Sequence, residues 1–303
     1  MAIAMIAVGF CSLAQAERDP IRLTHGPMLG NPTAHSMTIW GRTSDAGEFL
    51  VRYGTSPDRL DQVSKPAVTM IEHDNTGVAA LQGLKGDTRY FYQIEVNERP
   101  HGLPGSFLTL PSADDARNAE HNPDGLFNFK FQIGSCANQN PIHGIGHRTP
   151  TYENLNRDWA EKVHFHIMNG DWSYEELREY PPEAWRLVQG VKELPQAVKV
   201  MPTVVGCWEN YKLYLNRGVD LAKWHRNVPS YFTFDDHELV NDIWGSSEAG
   251  KRHRRTVFRD IGTYAWYDYL GWANPMVHNT PIHYGQAAMK GGSDLLVDPN
   301  TDF

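Results

Sequence analysis

Residues Phe127-Asn128-Phe129-Lys130-Phe131-Gln132-Ile133 alternate apolar and polar side chains and run into Gly134-Ser135-Cys136. That period of two is the pattern of a strand with one apolar face, stopped by a turn. A helical pattern follows near Thr151 to Lys162, with Leu155 and Trp159 one turn apart, and Val163, Phe165 and Ile167 then alternate up to Gly170-Asp171. Strand, helix, strand at this spacing is a βαβ signal and implies a sheet with covering helices. Another helical pattern, around Tyr211 to His225, precedes the strand Tyr231-Phe232-Thr233-Phe234, which delivers Asp235-Asp236-His237-Glu238. A longer helix is expected from Lys251 to Leu270, and a last strand from Asp294 to Val297.

Upstream, the texture is different. From Ile21 to Leu110 short alternating runs such as Met37-Thr38-Ile39-Trp40 and Phe49-Leu50-Val51-Arg52-Tyr53 are separated by Gly, Pro, Asp and Ser, which reads as all-β. The stretch Leu84 to Tyr92 has the character of a tyrosine corner, in which a phenol hydroxyl fixes one connection of a β-sandwich. Trp40 is expected between the two sheets of that sandwich. Residues 113–126, rich in Asp, Asn, Ala and Pro, read as a linker. The organisation is thus a signal peptide over 1–16, a β-sandwich over 17–112, the linker, and a sheet domain over 127–303.

The signal reading rests on Ala2 to Leu13, an apolar run shorter than the roughly 20 residues a membrane span needs. It ends in Ala14-Gln15-Ala16, a small-x-small cleavage pattern, although no basic residue precedes the apolar run. Export, to the periplasm or the exterior, follows, with no stable membrane span. The formal charge of −8 argues against a nucleic-acid binder, because phosphate backbones are held chiefly by Lys and Arg. Of three cysteines, Cys11 lies in the signal, and Cys136 and Cys207 could pair in an oxidising compartment.

Three strands therefore end in polar clusters, at Cys136, at Asp171 and at Asp236, and ligands gather beyond the carboxyl ends of strands in open α/β sheets. Three acids in Asp235-Asp236-His237-Glu238 repel one another, so a cation or solvent must compensate them. A residue such as Asp171 can bridge two metal ions with its two oxygens, as two-metal phosphoesterases require. A thiolate from Cys136 and a phenolate from Tyr174 suit a transition metal, and carboxylates suit a hard ion, so a mixed-metal site is expected. His164 and His166 share a strand face but stand before the strand end, which favours packing. His143 and His147 sit in a Gly-rich loop, Ser135 reads as a turn residue, and Lys251 to Arg255 is a short basic run that could steer an anion.

The successive stretches Phe131-Gln132-Ile133-Gly134-Ser135-Cys136-Ala137, Gly170-Asp171-Trp172-Ser173-Tyr174 and Phe234-Asp235-Asp236-His237-Glu238, with Asn241 after the last, resemble the motifs of PhoD-like alkaline phosphatases. These belong to the calcineurin-like metallophosphoesterase fold. The resemblance implies a fibronectin type III-like β-sandwich followed by an αββα sandwich, here C-terminally truncated. It implies Fe3+ held by Cys136 and Tyr174, and Asp171 bridging it to Ca2+. Asp236, with Asn241 a further candidate, would serve the second metal, and His237 would give a proton to the leaving oxygen. The implied activity is hydrolysis of phosphomonoesters, phosphodiesters or both by a metal-bound hydroxide, on a small-molecule or polymeric phosphate ester. The family's later Gly-Asp-x-His type segment does not occur in this sequence, so the 303-residue chain is expected to be poorly active. Two other readings keep the scaffold: a non-catalytic relative that binds phosphate or a polymer, and a phospholipase-type hydrolase.

Overall fold

The structure, a computed structural model, describes residues 20–201, 203–242, 254–275, 288–293 and 295–297. The expected signal peptide, Cys11 and most of the basic run at 251–255 lie outside them. The strands of the first half are β1 (Leu23–Gly30), β2 (Ser36–Thr43), β3 (Gly47–Gly54), β4 (Gln62–Val63), β5 (Ala67–Thr69), β6 (Thr76–Gln82), β7 (Arg89–Val96) and β8 (Arg99–Leu108). After a short α1 (Ala113–Ala116) come β9 (Phe131–Gly134), α2 (Pro150–Asp158), β10 (Phe165–Asn169), α3 (Pro182–Val188) and α4 (Gln196–Val200). The chain continues through α5 (Val204–Arg217), α6 (Val219–Asn227), β11 (Ser230–Thr233), α7 (Asp236–Leu239) and α8 (Arg254–Tyr269), with a small hairpin of β12 (Ala288–Met289) and β13 (Leu296–Val297).

One sheet of the sandwich has the order β4-β3-β7-β8, with β5 beside β3. Its inner face comes from alternation: Tyr90, Tyr92, Ile94 and Val96 of β7 are all buried. The main-chain N–H of Lys85 donates to the Tyr90 hydroxyl at 3.0 Å, the hydrogen bond expected of a tyrosine corner. The other sheet does not stop at the sandwich. Its order is β6-β2-β1-β11-β10-β9, and β1 pairs in parallel with β11 at Gly30 and Ser230. One six-stranded sheet therefore runs through both halves, with β9, β10 and β11 parallel to one another.

That continuity corrects the placing of Trp40. Ile39 and Trp40 are neighbours in β2 and point to opposite faces. Ile39 enters the sandwich core, whereas Trp40 enters the second core with Trp208, Tyr211 and Tyr269. Its indole N–H donates to the Asp268 carbonyl at 2.8 Å, and its ring lies 5.3 Å from that of Tyr269. Two buried polar groups reinforce the junction. Arg42 pairs with Asp74 at 2.9 Å, and the same carboxylate receives the Tyr269 hydroxyl at 2.6 Å and Lys212 at 3.1 Å.

Several element bounds also differ from expectation. The alternation from Phe127 becomes strand only at Phe131; Phe129, Phe131 and Ile133 stay about half exposed, with the Phe129 and Phe131 rings stacked on Phe165. The helix expected over Tyr211 to His225 is two helices broken at Gly218, where a Cβ would lie 2.4 Å from Gln139 Nε2 and 2.7 Å from the Tyr214 carbonyl. Cys136 and Cys207 are both free, so they form no disulfide; Cys207 is buried and burial raises its pKa. No helix among the described residues is long and apolar enough to cross a membrane.

Candidate metal centre

The three parallel strands release their chains on one side of the sheet, and two of the first residues beyond them adopt left-handed backbone. Cys136 has φ +59° and Asp171 has φ +56°, a conformation that costs a non-glycine residue energy and is found at sites that need a side chain aimed specially. The two loops brace each other: Cys136 N–H donates to the Gly170 carbonyl at 3.3 Å, and Ala137 N–H to the Asp171 carbonyl at 2.8 Å. Gly170 is required where it stands. Its φ is +76°, and a Cβ there would come within 2.6 Å of the Asp235 Cβ.

Around this frame the sequence-predicted residues converge. The Cys136 thiol lies 3.2 Å from Asp171 Oδ2, and the Tyr174 hydroxyl lies 3.1 Å from the same oxygen. Asp171, Asp236 and His237 each bring a donor atom within 4.8 Å of the others. Asn241 stands differently: its side-chain amide donates to Asp242 Oδ2 at 3.1 Å, and its main-chain N–H to Glu175 Oε1 at 2.6 Å. The Asp236 carboxylate accepts the Asp242 N–H at 2.5 Å. His143 and His147 are exposed, while His164 and His166 are buried among packing side chains; burial takes His166 down to about 3.

Three supporting residues were not singled out from sequence. Glu238 is almost fully buried and its carboxylate accepts main-chain N–H groups of Asp171 at 2.9 Å, Trp172 at 2.6 Å, Ser173 at 3.2 Å and Asp235 at 2.8 Å. Thus the fourth residue of the acidic motif turns away from the metal side and grips the Asp171 loop. Burial lifts its pKa to about 7 even though the N–H groups of Asp235, Asp171 and Ser173 pull it down. The Asp235 and Glu238 spacing is that of a capping box, which was the available signal. Glu175 Oε2 lies 2.8 Å from His237 Nδ1. Although burial pushes Glu175 up, its bonds to His237 and Asn241 bring it below the usual range. Asn210, on α5, accepts the N–H groups of Glu176 and Leu177 and donates to the Tyr174 carbonyl at 2.6 Å, so α5 fixes the loop that carries Tyr174 and Glu175.

The donor set fits metal ions on its own chemistry. Asp171 Oδ2 is shared by a thiol and a phenol, while Asp171 Oδ1 is buried with no hydrogen-bond partner among the described residues. An unpartnered carboxylate oxygen out of water is costly unless a cation meets it. The Tyr174 phenol is pushed well up by burial, then by Cys136 and Asp171, so without a cation it keeps its proton. Cys136, Asp171 and Tyr174 could hold one ion, and Asp171 with Asp236 and His237 border a second position.

Residues 10–111 match the model of the PhoD-like phosphatase N-terminal domain, and residues 131–289 match that of the PhoD-like phosphatase itself. Among solved structures, PhoD superposes with a TM-score of 0.62 at 16% identity, over 90% of this chain and 51% of that one. The purple acid phosphatase PPD1 from yellow lupin (Lupinus luteus) seeds superposes with a TM-score of 0.50 at 13% identity, over 83% of this chain and 41% of that one. At such identities the likeness shows the fold, and the chain spans about half the length of the first relative and about two-fifths of the second. No curated protein matches the sequence. With both family models matched in order, the chain belongs to the PhoD-like phosphatase family.

Proposed function

We propose that this protein is an exported, metal-dependent phosphoesterase that hydrolyses phosphomonoesters, phosphodiesters or both. The observation that carries the reading is Asp171, with one carboxylate oxygen shared by Cys136 and Tyr174 and the other buried without a partner. Such a carboxylate could hold a cation on either side. The thiol and phenol favour a transition ion such as Fe3+ on their side, and the carboxylate of Asp236 favours a hard ion such as Ca2+. When bound, such a pair neutralises phosphoryl oxygens and lowers the pKa of a water. Export is supported by the apolar run ending in Ala14-Gln15-Ala16.

The chain's own residues supply orientation and a proton. Glu238 sets the backbone of Asp171 by gripping three consecutive N–H groups, so the carboxylate is aimed before any ion arrives. Glu175 engages Nδ1 of His237, which leaves Nε2 facing a substrate; the imidazolium would give its Nε2 proton to a leaving alkoxide and remain neutral with Nδ1–H on Glu175. The Tyr174 ring packs at a tilt against His237, with centroids 3.9 Å apart, and limits the swing of the imidazole.

The test is hydrolysis of p-nitrophenyl phosphate and bis-p-nitrophenyl phosphate with added Ca2+ and iron, with and without chelator. Turnover is judged against Asp171→Asn. Chelator-sensitive hydrolysis that falls at least about a hundredfold in Asp171→Asn supports the reading. Folded protein that takes up metal and cleaves neither ester overturns it.

A further inference from the structure

Cys136 and Tyr174 stand on different loops, one after β9 and the other after β10, yet both reach the same oxygen of Asp171. The main-chain bonds at Gly170 and Asp171 brace the first residues of these loops. Farther along, the end of α5 joins them. Arg217 is the last residue of that helix, and its side chain is mostly buried, as is that of Glu176, two residues beyond Tyr174. Its Nη1 donates to Glu176 Oε2 at 2.8 Å and its Nη2 to Oε1, a two-pronged pairing. Its Nε donates at 3.1 Å to Oε1 of Gln139, a fully buried residue three positions beyond Cys136.

Other bonds close the same cluster. The Gln139 amide donates to the Tyr214 carbonyl at 3.2 Å, and the Tyr214 hydroxyl donates to Glu176 Oε1 at 3.2 Å. The Arg217 guanidinium lies 4.8 Å from the centroid of the Tyr214 ring, which in turn packs 5.9 Å from the ring of Trp172, the neighbour of Asp171. A basic residue in the last turn of a helix ordinarily serves the helix dipole, and any cation can do that. Arg217 does more, because all three of its nitrogens donate to side chains carried by the two loops. That takes the planar fork of a guanidinium, whose donors point in fixed directions. A lysine ammonium could meet one of these acceptors but could not hold the set.

We propose that Arg217 is a positioning residue for the thiol and phenol side of the metal centre: through Gln139 and Glu176 it fixes the loop of Cys136 against the loop of Tyr174. What the two side chains hold rests on the metal-dependent reading; the clasp itself rests on the hydrogen bonds. Its effect is selective. Loss of the fork frees the two loops from each other, while Glu238 still grips the backbone of Asp171 and Asn210 still holds the Tyr174 carbonyl.

The experiment compares the full chain with Arg217→Lys, which keeps the cation at the helix end, and with Glu176→Gln, which keeps the shape of its partner. Without metal, iodoacetamide labelling is followed by mass spectrometry on the peptides that carry Cys136, which is exposed, and Cys207, which is buried in the same α5. The expected result is labelling of Cys136 faster by about fivefold or more in both variants, through local opening of its loop, with Cys207 unchanged. Equal acceleration of both cysteines makes Arg217 an ordinary stabiliser of α5, and no acceleration of Cys136 leaves its loop indifferent to the fork; either result overturns the assignment. With metal, Fe3+ affinity measured by competition with a chelator should fall about tenfold in both variants, and an unchanged affinity overturns the positioning role. A wild-type chain that takes up no Fe3+ counts against the metal-dependent reading, while the labelling of Cys136 still decides the clasp.

Discussion

Oε2 of Glu175 lies 2.8 Å from Nδ1 of His237, a residue 62 positions later in the chain. The other oxygen of the same carboxylate takes the main-chain N–H of Asn241 at 2.6 Å. One side chain thus ties the loop after β10 to both ends of the segment that follows β11, and it selects the ring nitrogen left to face a substrate. A histidine so held has one orientation, and as the imidazolium, with Nδ1–H on Glu175, it can pass its Nε2 proton to a leaving oxygen.

Glu175→Gln keeps the shape and removes the charge. The expected loss in kcat is about tenfold to a hundredfold for an alkyl phosphate, whose leaving group needs the proton. For the p-nitrophenyl ester, whose leaving group is stable as an anion, the loss should be much smaller. Comparing kcat for the two esters in Glu175→Gln and His237→Ala checks the point. Equal losses on both would remove His237 from the role of proton donor.

Glu238→Gln leaves one carbonyl oxygen to meet four N–H groups and turns an NH2 toward the others. Each buried donor left unsatisfied costs about 1–3 kcal/mol. Thermal denaturation should show a clear loss of stability. Metal affinity, measured by competition with a chelator, should fall with it, because the Asp171 loop is no longer aimed.

Asp74→Asn leaves Arg42 a buried cation without its counter-charge, while Lys212 keeps only Glu209. Removing one partner of such a group costs about 3–5 kcal/mol. Burial alone would raise the Asp74 pKa, but Lys212, Arg42 and Tyr269 hold it well below the ordinary carboxylate range. A pKa lower in the folded than in the unfolded chain adds stability that is complete above the unfolded value of about 3.9 and fades only as pH falls toward the folded one. Urea unfolding should therefore show a constant gap between wild type and Asp74→Asn from pH 5 to 8, narrowing below about pH 4.

Trp40→Ala removes the indole that carries the sandwich into the second core. A loss of about 3–5 kcal/mol is expected, as for other large buried aromatic residues. Because β1 pairs with β11 and the two halves share one sheet, both should unfold in a single urea transition reported alike by far-UV circular dichroism and Trp fluorescence. Two separated transitions in the wild type would show the halves to be independent.

Much of the frame was legible in the sequence. Period-two alternation and turn residues located β2, β3, β10 and β11, and the tyrosine corner was readable because its hydrogen bond spans five residues. The breaks that were missed had nonlocal causes. Gly218 divides α5 from α6 with non-helical backbone, and Gln139, far away in sequence, fills the space a side chain would need there. The alternation over Phe127 to Phe131 marks an apolar face without fixing where pairing begins, since β9 forms only as far as β10 reaches alongside it.

The sequence by itself determined the order of three polar clusters at strand ends, because strand period, turn chemistry and residue type are local properties. It did not decide which acids face a metal and which turn inward. Asp236 and Glu238 stand two residues apart, yet one borders the candidate site and the other accepts four N–H groups in the interior. That division follows from the N–H groups that β10 releases beside β11 once the sheet is paired. Trp40 shows the same limit: alternation put it opposite Ile39, but only the packing of α5 and α8 on β2 made that outer face a core. Burial rewards contacts that the chain assembles across more than two hundred residues, and a local pattern carries no record of them.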